Sequence, residues 1–439
     1  MFYHKCRYFV VIIIITVFLA ISCMAYAADN NKPYDGKEIN VLLLRLDNFT
    51  YLLDLLNDFE EETGITVNVD LLPEKTIMPK VTMNFASGSD EYDVVSVGNR
   101  SIPQFVRGDW LMPIDDYMND PTLTKSDYDS KDIIPALLDC MSVDGVLYGV
   151  PQNPFVYGLM YNKKMFEEAG IDSPPQNLEE LERYAKLLTT PDHAGIALRA
   201  TREAALGAVT WLALWYKMGG HWFDQDMKPL LDSPASIETT NYWARILNNY
   251  APKGVSGYSW NEVILAMQNA EVAMVIDDFM FGPKLEDPDN SLIAGNVGYH
   301  VIEGPSDKYT IAGAWGFVIP KASKEPEAAW QFIQFATGKK SNFYAVENGL
   351  GGGVVRESAW TSDQMARDYN KEWASAMLKG LSHAQPNYTP LIPEGPRLRD
   401  ELSVAITSVL AGDSDAEQAM KKANEACYNV LKDAGYYDK

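Results

Sequence analysis

Ile39-Asn40-Val41-Leu42-Leu43-Leu44 is an almost unbroken apolar run of strand length, the kind of segment found in a sheet covered on both faces. Working outward, Tyr51, Leu52, Leu55, Leu56 and Phe59 recur at helical spacing, Gly64 stops that helix, and Ile65 to Leu72 returns as a strand. Lys75 to Ser87 reads as a second helix and Asp93-Val94-Val95-Ser96-Val97 as a third buried strand. This β-α-β-α-β alternation implies an α/β protein with a parallel sheet. Ligands of such sheets bind in the crevice beyond the carboxyl ends of the strands. That rule places Asn48 and Phe49, and then Asn99 and Arg100, at a candidate cleft.

The middle of the chain, from Pro154 to about Gly313, is long enough for a second lobe, with Leu147 to Pro151 as the crossing into it. Ala312 to Pro320 is a further apolar strand, followed by a helix at Glu325 to Thr337 and a glycine-rich segment, Gly349 to Gly353, expected to be flexible. Amphipathic helices are expected at Glu372 to Leu381, Arg397 to Leu410 and Ala416 to Ala434.

At the N-terminus, His4, Lys5 and Arg7 precede an apolar run from Tyr8 to Ile21, too short to span a bilayer comfortably, which ends at Ala25-Tyr26-Ala27. Residues 1–27 therefore read as a cleaved signal peptide and place the chain in the periplasm or another extracytoplasmic space. A retained signal anchor and a lipid anchor on Cys23 are the alternatives, although no second apolar segment follows and Leu19 stands four residues before Cys23 rather than the usual three. Cys140 and Cys427 remain, and an oxidising compartment permits a disulfide that spacing alone does not establish. The formal net charge of −23, with both signs dispersed along the chain, disfavours nucleic acid and anionic lipid as partners.

Local strings then point to a family. Tyr92-Asp93-Val94-Val95, with Gly108-Asp109-Trp110-Leu111-Met112-Pro113 after it, resembles the first lobe of ABC-importer sugar-binding proteins, the maltose-binding-protein-like family. Leu147-Tyr148-Gly149-Val150-Pro151 and Tyr161-Asn162-Lys163 resemble its hinge and the strand and helix beyond. Gly313-Ala314-Trp315-Gly316-Phe317-Val318 resembles its second crossing. Asn269-Ala270 departs from a glycine-containing step usual in the family. Gly351-Gly352-Gly353-Val354-Val355-Arg356 is most similar to members that bind sugar alcohols.

The resemblance implies a two-lobed periplasmic-binding-protein fold with a cleft and discontinuous lobes joined by hinge strands. The N-terminal lobe would hold 37–149 and 316–353, and the C-terminal lobe 150–315 and 354–439. It also implies a monomer that binds a small carbohydrate, closes on it, and delivers it to the membrane permease subunits of an ABC importer, with no catalysis and no cofactor.

A sugar presents hydroxyls that need donors and acceptors, and C–H faces that suit aromatic rings. Arg100 offers five donors on a planar fork. Asn153 and Phe155 lie just past the hinge, where the family lines its cleft. Trp315 stands between Ala314 and Gly316 at the second crossing, Asp278 ends an apolar strand, Arg356 follows the glycines, and Tyr216 belongs to an aromatic step whose neighbour Trp211 reads as core. The sequence contains no metal-ligand spacing, phosphate loop or nucleophile elbow. A secreted glycosidase needs two facing carboxylates, whereas Asp277 and Asp278 are adjacent in a strand and point to opposite faces. A polyamine binder would suit the acidity, and Arg100 and Arg356 argue against it.

Overall fold

The structure is a computed structural model that describes residues 32–305, 307–385 and 388–438. The signal-peptide, signal-anchor and Cys23 readings therefore lie outside the described residues. Among these residues no helix is long and apolar enough to cross a membrane.

Strand β1 (Glu38–Leu44) leads through a short helical turn into α1 (Leu56–Thr63), which ends at Gly64 in the left-handed conformation, φ +80°. There β2 (Thr66–Leu72) begins, followed by α2 (Glu74–Ala86) and β3 (Val94–Gly98). Both β2 and β3 pair with β1 in parallel, as the apolar runs predict. The chain then reaches β4 (Val150–Asn162), whose thirteen residues are all buried.

The second half contributes α3 (Leu206–Lys217), α4 (Pro234–Tyr250), β5 (Met274–Asp278), β6 (Val297–His300) and β7 (Thr310–Val318). After these come α5 (Pro326–Thr337), α6 (Lys371–Ser382), α7 (Gly395–Leu410) and α8 (Ala416–Asp433). Strand order runs β2-β1-β3-β7-β4-β5, with β6 on the other edge of β4.

Two strands carry the chain between the halves. Residues Val150 to Val156 of β4 pair antiparallel with β7, whereas Tyr157 to Asn162 pair with β5 on one edge and β6 on the other. On β7, Ala312 to Phe317 pair with β4 on one edge, and Trp315 to Val318 pair with β3 on the other. One continuous backbone ladder thus belongs to both halves, and each half packs its own helices against it. On the first side, Phe59 meets Phe332 edge-on at 5.7 Å and Phe317 meets Phe332 at 6.0 Å. On the second, Trp211, Trp215 and Trp243 are fully buried, and the Trp211 indole donates to Thr240.

One expectation changes, and one open question is answered. Gly351–Gly353 is a buried turn rather than a flexible link: a Cβ on Gly352 would meet the Met280 carbonyl oxygen at 2.8 Å, and one on Gly353 the Asn48 amide at 2.6 Å. Close backbone approach is why these positions are glycine. Cys140 and Cys427 are both buried free thiols.

The hinge ladder is equally tight at Gly316, where a Cβ would lie 2.3 Å from the Val150 carbonyl oxygen and 2.7 Å from Met141 Cε. Gly316→Ala should lower the unfolding free energy by about 1–3 kcal/mol. Urea unfolding checks this, and an unchanged midpoint at unchanged slope would count against it.

Candidate functional site

The carboxyl ends of β1, β2 and β3 deliver Leu44 to Leu46, Glu74 and Arg100 to one side of a cavity of about 130 Å³. The crossing strands supply Asn153, Phe155 and Tyr157 from β4 and Trp315 from β7, and the second half closes it with Arg199, Trp260, Asp278 and Met280, with Tyr388 alongside. Trp315 pairs with Gly98 on one edge and Asn153 on the other. Gly98 leaves room for the indole, which lies 3.6 Å from where a Cβ would stand. The Arg100 guanidinium sits 6.0 Å from the Trp315 ring centre and 3.6 Å from the Glu74 carboxylate.

Opposite, Ala194 and Ala197 pair in parallel with Val272 and Val275, which brings Arg199 beside the end of β5. Arg199 Nε donates to both Asp277 oxygens, at 3.1 and 2.9 Å, and its plane lies 5.1 Å from the Tyr157 ring centre. Asp278 Oδ1 accepts from the Val156 and Met280 amides at 3.1 and 3.0 Å. Burial pushes its carboxyl up to about 8, against the pull of the Met280 amide and the Arg199 charge. At neutral pH the carboxyl is therefore mainly protonated, and it offers a hydrogen-bond donor as well as an acceptor. Phe155 meets Tyr157 and Tyr388 edge-on, at 6.4 and 5.9 Å, and Trp260 stacks on Phe281 at 5.2 Å. The cavity thus combines aromatic faces with fixed donors and acceptors, and it suits a small molecule rich in hydroxyls.

Of the residues singled out from sequence, Trp315, Arg100, Asp278, Phe155 and Asn153 line this cavity. The others stand elsewhere. Arg356 is fully buried in a structural network: Nε donates to the Thr337 carbonyl at 2.7 Å, Nη1 to the Asp129 carbonyl at 2.9 Å, and Asp132 pairs with it at 3.3 Å. Phe49 is core, edge-on to Phe317 at 5.7 Å. Asn48 supports the wall from behind by donating to Asn153 Oδ1 at 2.8 Å, and Asn99 is buried beside Gly313. Tyr216 lies behind Tyr388, to whose carbonyl its hydroxyl donates at 3.3 Å.

Among relatives, the pattern of the family described as bacterial extracellular solute-binding protein matches residues 45–343. The chain belongs to that family. An erythritol/L-threitol-binding protein of Mycolicibacterium smegmatis is 27% identical over 91% of this chain and 87% of its own length. A mannitol-binding protein of Pseudomonas aeruginosa is 23% identical over 86% of this chain and 89% of its own. The crystal structure of an ABC transporter solute-binding protein from Agrobacterium vitis S4 with bound D-mannitol superimposes with a TM-score of 0.82 at 25% identity, covering 92% of this chain and all of that one.

Within this solute-binding protein, sequence reasoning missed Tyr157, Glu74, Arg199 and Tyr388. Two carried usable signals. Tyr157 is two residues from Phe155 on the same strand, so it shares its face, and Glu74 follows the carboxyl end of β2 as Arg100 follows β3. Arg199 offers the weaker sign of a charge inside the apolar run Ile196 to Ala200, and Tyr388 lies in a segment without periodicity.

Because the folded protein holds the Asp278 proton more tightly than an unfolded chain, which titrates near 3.8, the stability this proton supplies is complete below that value and is lost as pH rises toward 8. Asp278→Asn keeps the two backbone contacts and cannot lose a proton. Its melting temperature should match that of the native protein near pH 4 and rise above it progressively toward pH 8. A difference that stays constant with pH would contradict the assignment.

Proposed function

We propose that this chain is the extracytoplasmic binding component of an ABC importer, and that it holds a small sugar or sugar alcohol in the cavity beneath Trp315. The cavity carries the reading. Its volume of about 130 Å³ is far below the ~300–1,000 Å³ of sites for drug-sized ligands. A short polyol suits that space better than an oligosaccharide, and the relatives named for erythritol, threitol and mannitol support the same class. Trp315 would stack on C–H faces, while Arg100, Asn153 and Asp278 would pair with hydroxyls.

Ligand would add a further bridge to the ion pairs that join the halves, Arg107 with Glu394 among them. Lys284 pairs with Asp47 at 3.0 Å and Lys75 with Glu203 at 3.6 Å, both at the surface, where each pair contributes only about 0–1 kcal/mol. A bound polyol touching both sides would shift the population toward the closed form, which the permease would then recognise. The lobes would divide near residues 149/150 and 315/316, as the shared ladder suggests. The third crossing would come after Ser358, because Val355, Arg356 and Ser358 bond to Ile134, Asp129 and Asp132. Residues 1–27 would be the export signal, and the exported protein would act as a monomer without turning over its ligand. Asp277 is committed to Arg199 and is unsuited to pair with Asp278 in glycoside hydrolysis.

A thermal-shift screen over tetritols, pentitols, hexitols and maltotriose tests this. A short polyol at a hundred times its Kd should add about 2.7 kcal/mol of stability, and Trp315→Ala should weaken its binding by about tenfold or more. Stabilisation by maltotriose with none by short polyols, or release of product on incubation, would overturn the reading.

A further inference from the structure

The cavity presents more guanidinium donors than a neutral polyol requires. Arg100 and Arg199 both line it, Arg100 with Glu74 3.6 Å away and Arg199 held by Asp277, while Arg45 at its edge is exposed and donates to the Leu71 carbonyl. A further arginine, Arg399 of α7, stands in the layer behind. Its Nη2 donates to the Ala204 carbonyl at 3.0 Å, two residues before the lining residue Leu206, and α7 packs against the turn that carries Arg100. Arg399 is 4% exposed, yet its Nε and Nη1 have no hydrogen-bond partner among the described residues, and neither does the Oγ of Ser403 one turn along the same helix. Burial and the charge of Arg100 together hold the Arg399 guanidinium down at about 10. A buried guanidinium with free donors, next to a second cation, is costly unless an anion completes it. In a chain of net charge −23, a cluster of guanidinium groups is a local property of the site and not of the composition.

We propose that the ligand this site is built for is a short polyhydroxylated monocarboxylate, an aldonate-type sugar acid, with its carboxylate at Arg100 and directed toward the free donors of Arg399. The proposal rests on the small-polyol reading above and narrows it. Arg100 comes from the first half of the chain and Arg399 from the second, so the carboxylate neutralises a repulsion that closing the cleft creates. The hydroxylated tail then takes the positions beside Trp315 and Asp278. A planar fork matches a carboxylate in two parallel bonds, which a hydroxyl cannot reproduce.

Calorimetric titration of the full chain with matched pairs that differ only in the terminal group, erythritol against erythronate and ribitol against ribonate, tests this at pH 7. The acid of at least one pair should bind about tenfold or more tightly than its alcohol, the scale of one charge-assisted hydrogen bond. Arg399→Met should remove most of that preference while leaving alcohol affinity within about threefold, and Arg399→Lys should restore part of it. The comparison of ligands on the native protein stands even where a variant folds poorly. Alcohols that bind as tightly as their acids, or an Arg399→Met variant that weakens both alike, would overturn the sugar-acid assignment and leave the polyol reading in place. Binding of neither series would overturn both.

Discussion

The structure depends on a shared ladder. Strand β4 is buried along its whole length and changes partners at Val156, from β7 on one side of the molecule to β5 and β6 on the other. Its backbone groups must stay paired throughout, because an unpaired buried amide or carbonyl costs as much as a lost hydrogen bond. The two halves of the chain are therefore joined where the ladder changes hands. The cavity lies there, and the residues at the changeover are Asn153, Phe155, Tyr157 and Trp315. Position in the ladder, more than side-chain chemistry, makes these residues the candidate site.

Around that hinge the polar groups fall into two kinds. Arg356 and Asp277 are held by neighbours, and they fix segments of the chain in place. Asp278 and Arg100 are only partly engaged, with one Asp278 oxygen held by two amides and Arg100 leaning on Trp315 and Glu74. Partial engagement beside aromatic rings is what a polar ligand requires, since each remaining donor or acceptor gains more from a partner than from confined water. A wider groove of about 720 Å³ runs along Asp47, Lys284, Glu286 and Tyr369, but it lacks this pairing of arginine, buried carboxyl and presented indole among its described lining residues.

Most of the fold was legible because it rests on continuous apolar runs and well-placed stops. Ile39 to Leu44, Asp93 to Val97 and Ala312 to Pro320 all lie in or along buried strands, and Gly64 ends its helix as expected. The site was legible where a residue sits on a strand at a crossing, as with Trp315, Phe155 and Asp278. It was misleading where a polar residue followed a glycine or a strand end without facing the cleft. Arg356 points into the first half because Thr337 and Asp129 offer it carbonyls, and no local pattern reveals partners so distant in sequence. Arg199 was missed for the same reason, since only the bridges from Ala194 and Ala197 to β5 bring it to Asp277.

The central claim is the location of the ligand. A crystal structure of the protein grown with a four- or five-carbon polyol or its acid tests it most directly. The account predicts one ligand molecule between Trp315 and Asp278, in contact with Arg100 and with residues from both halves of the chain. Ligand bound instead in the groove along Asp47 and Lys284, with the cavity beneath Trp315 holding only water, would contradict it.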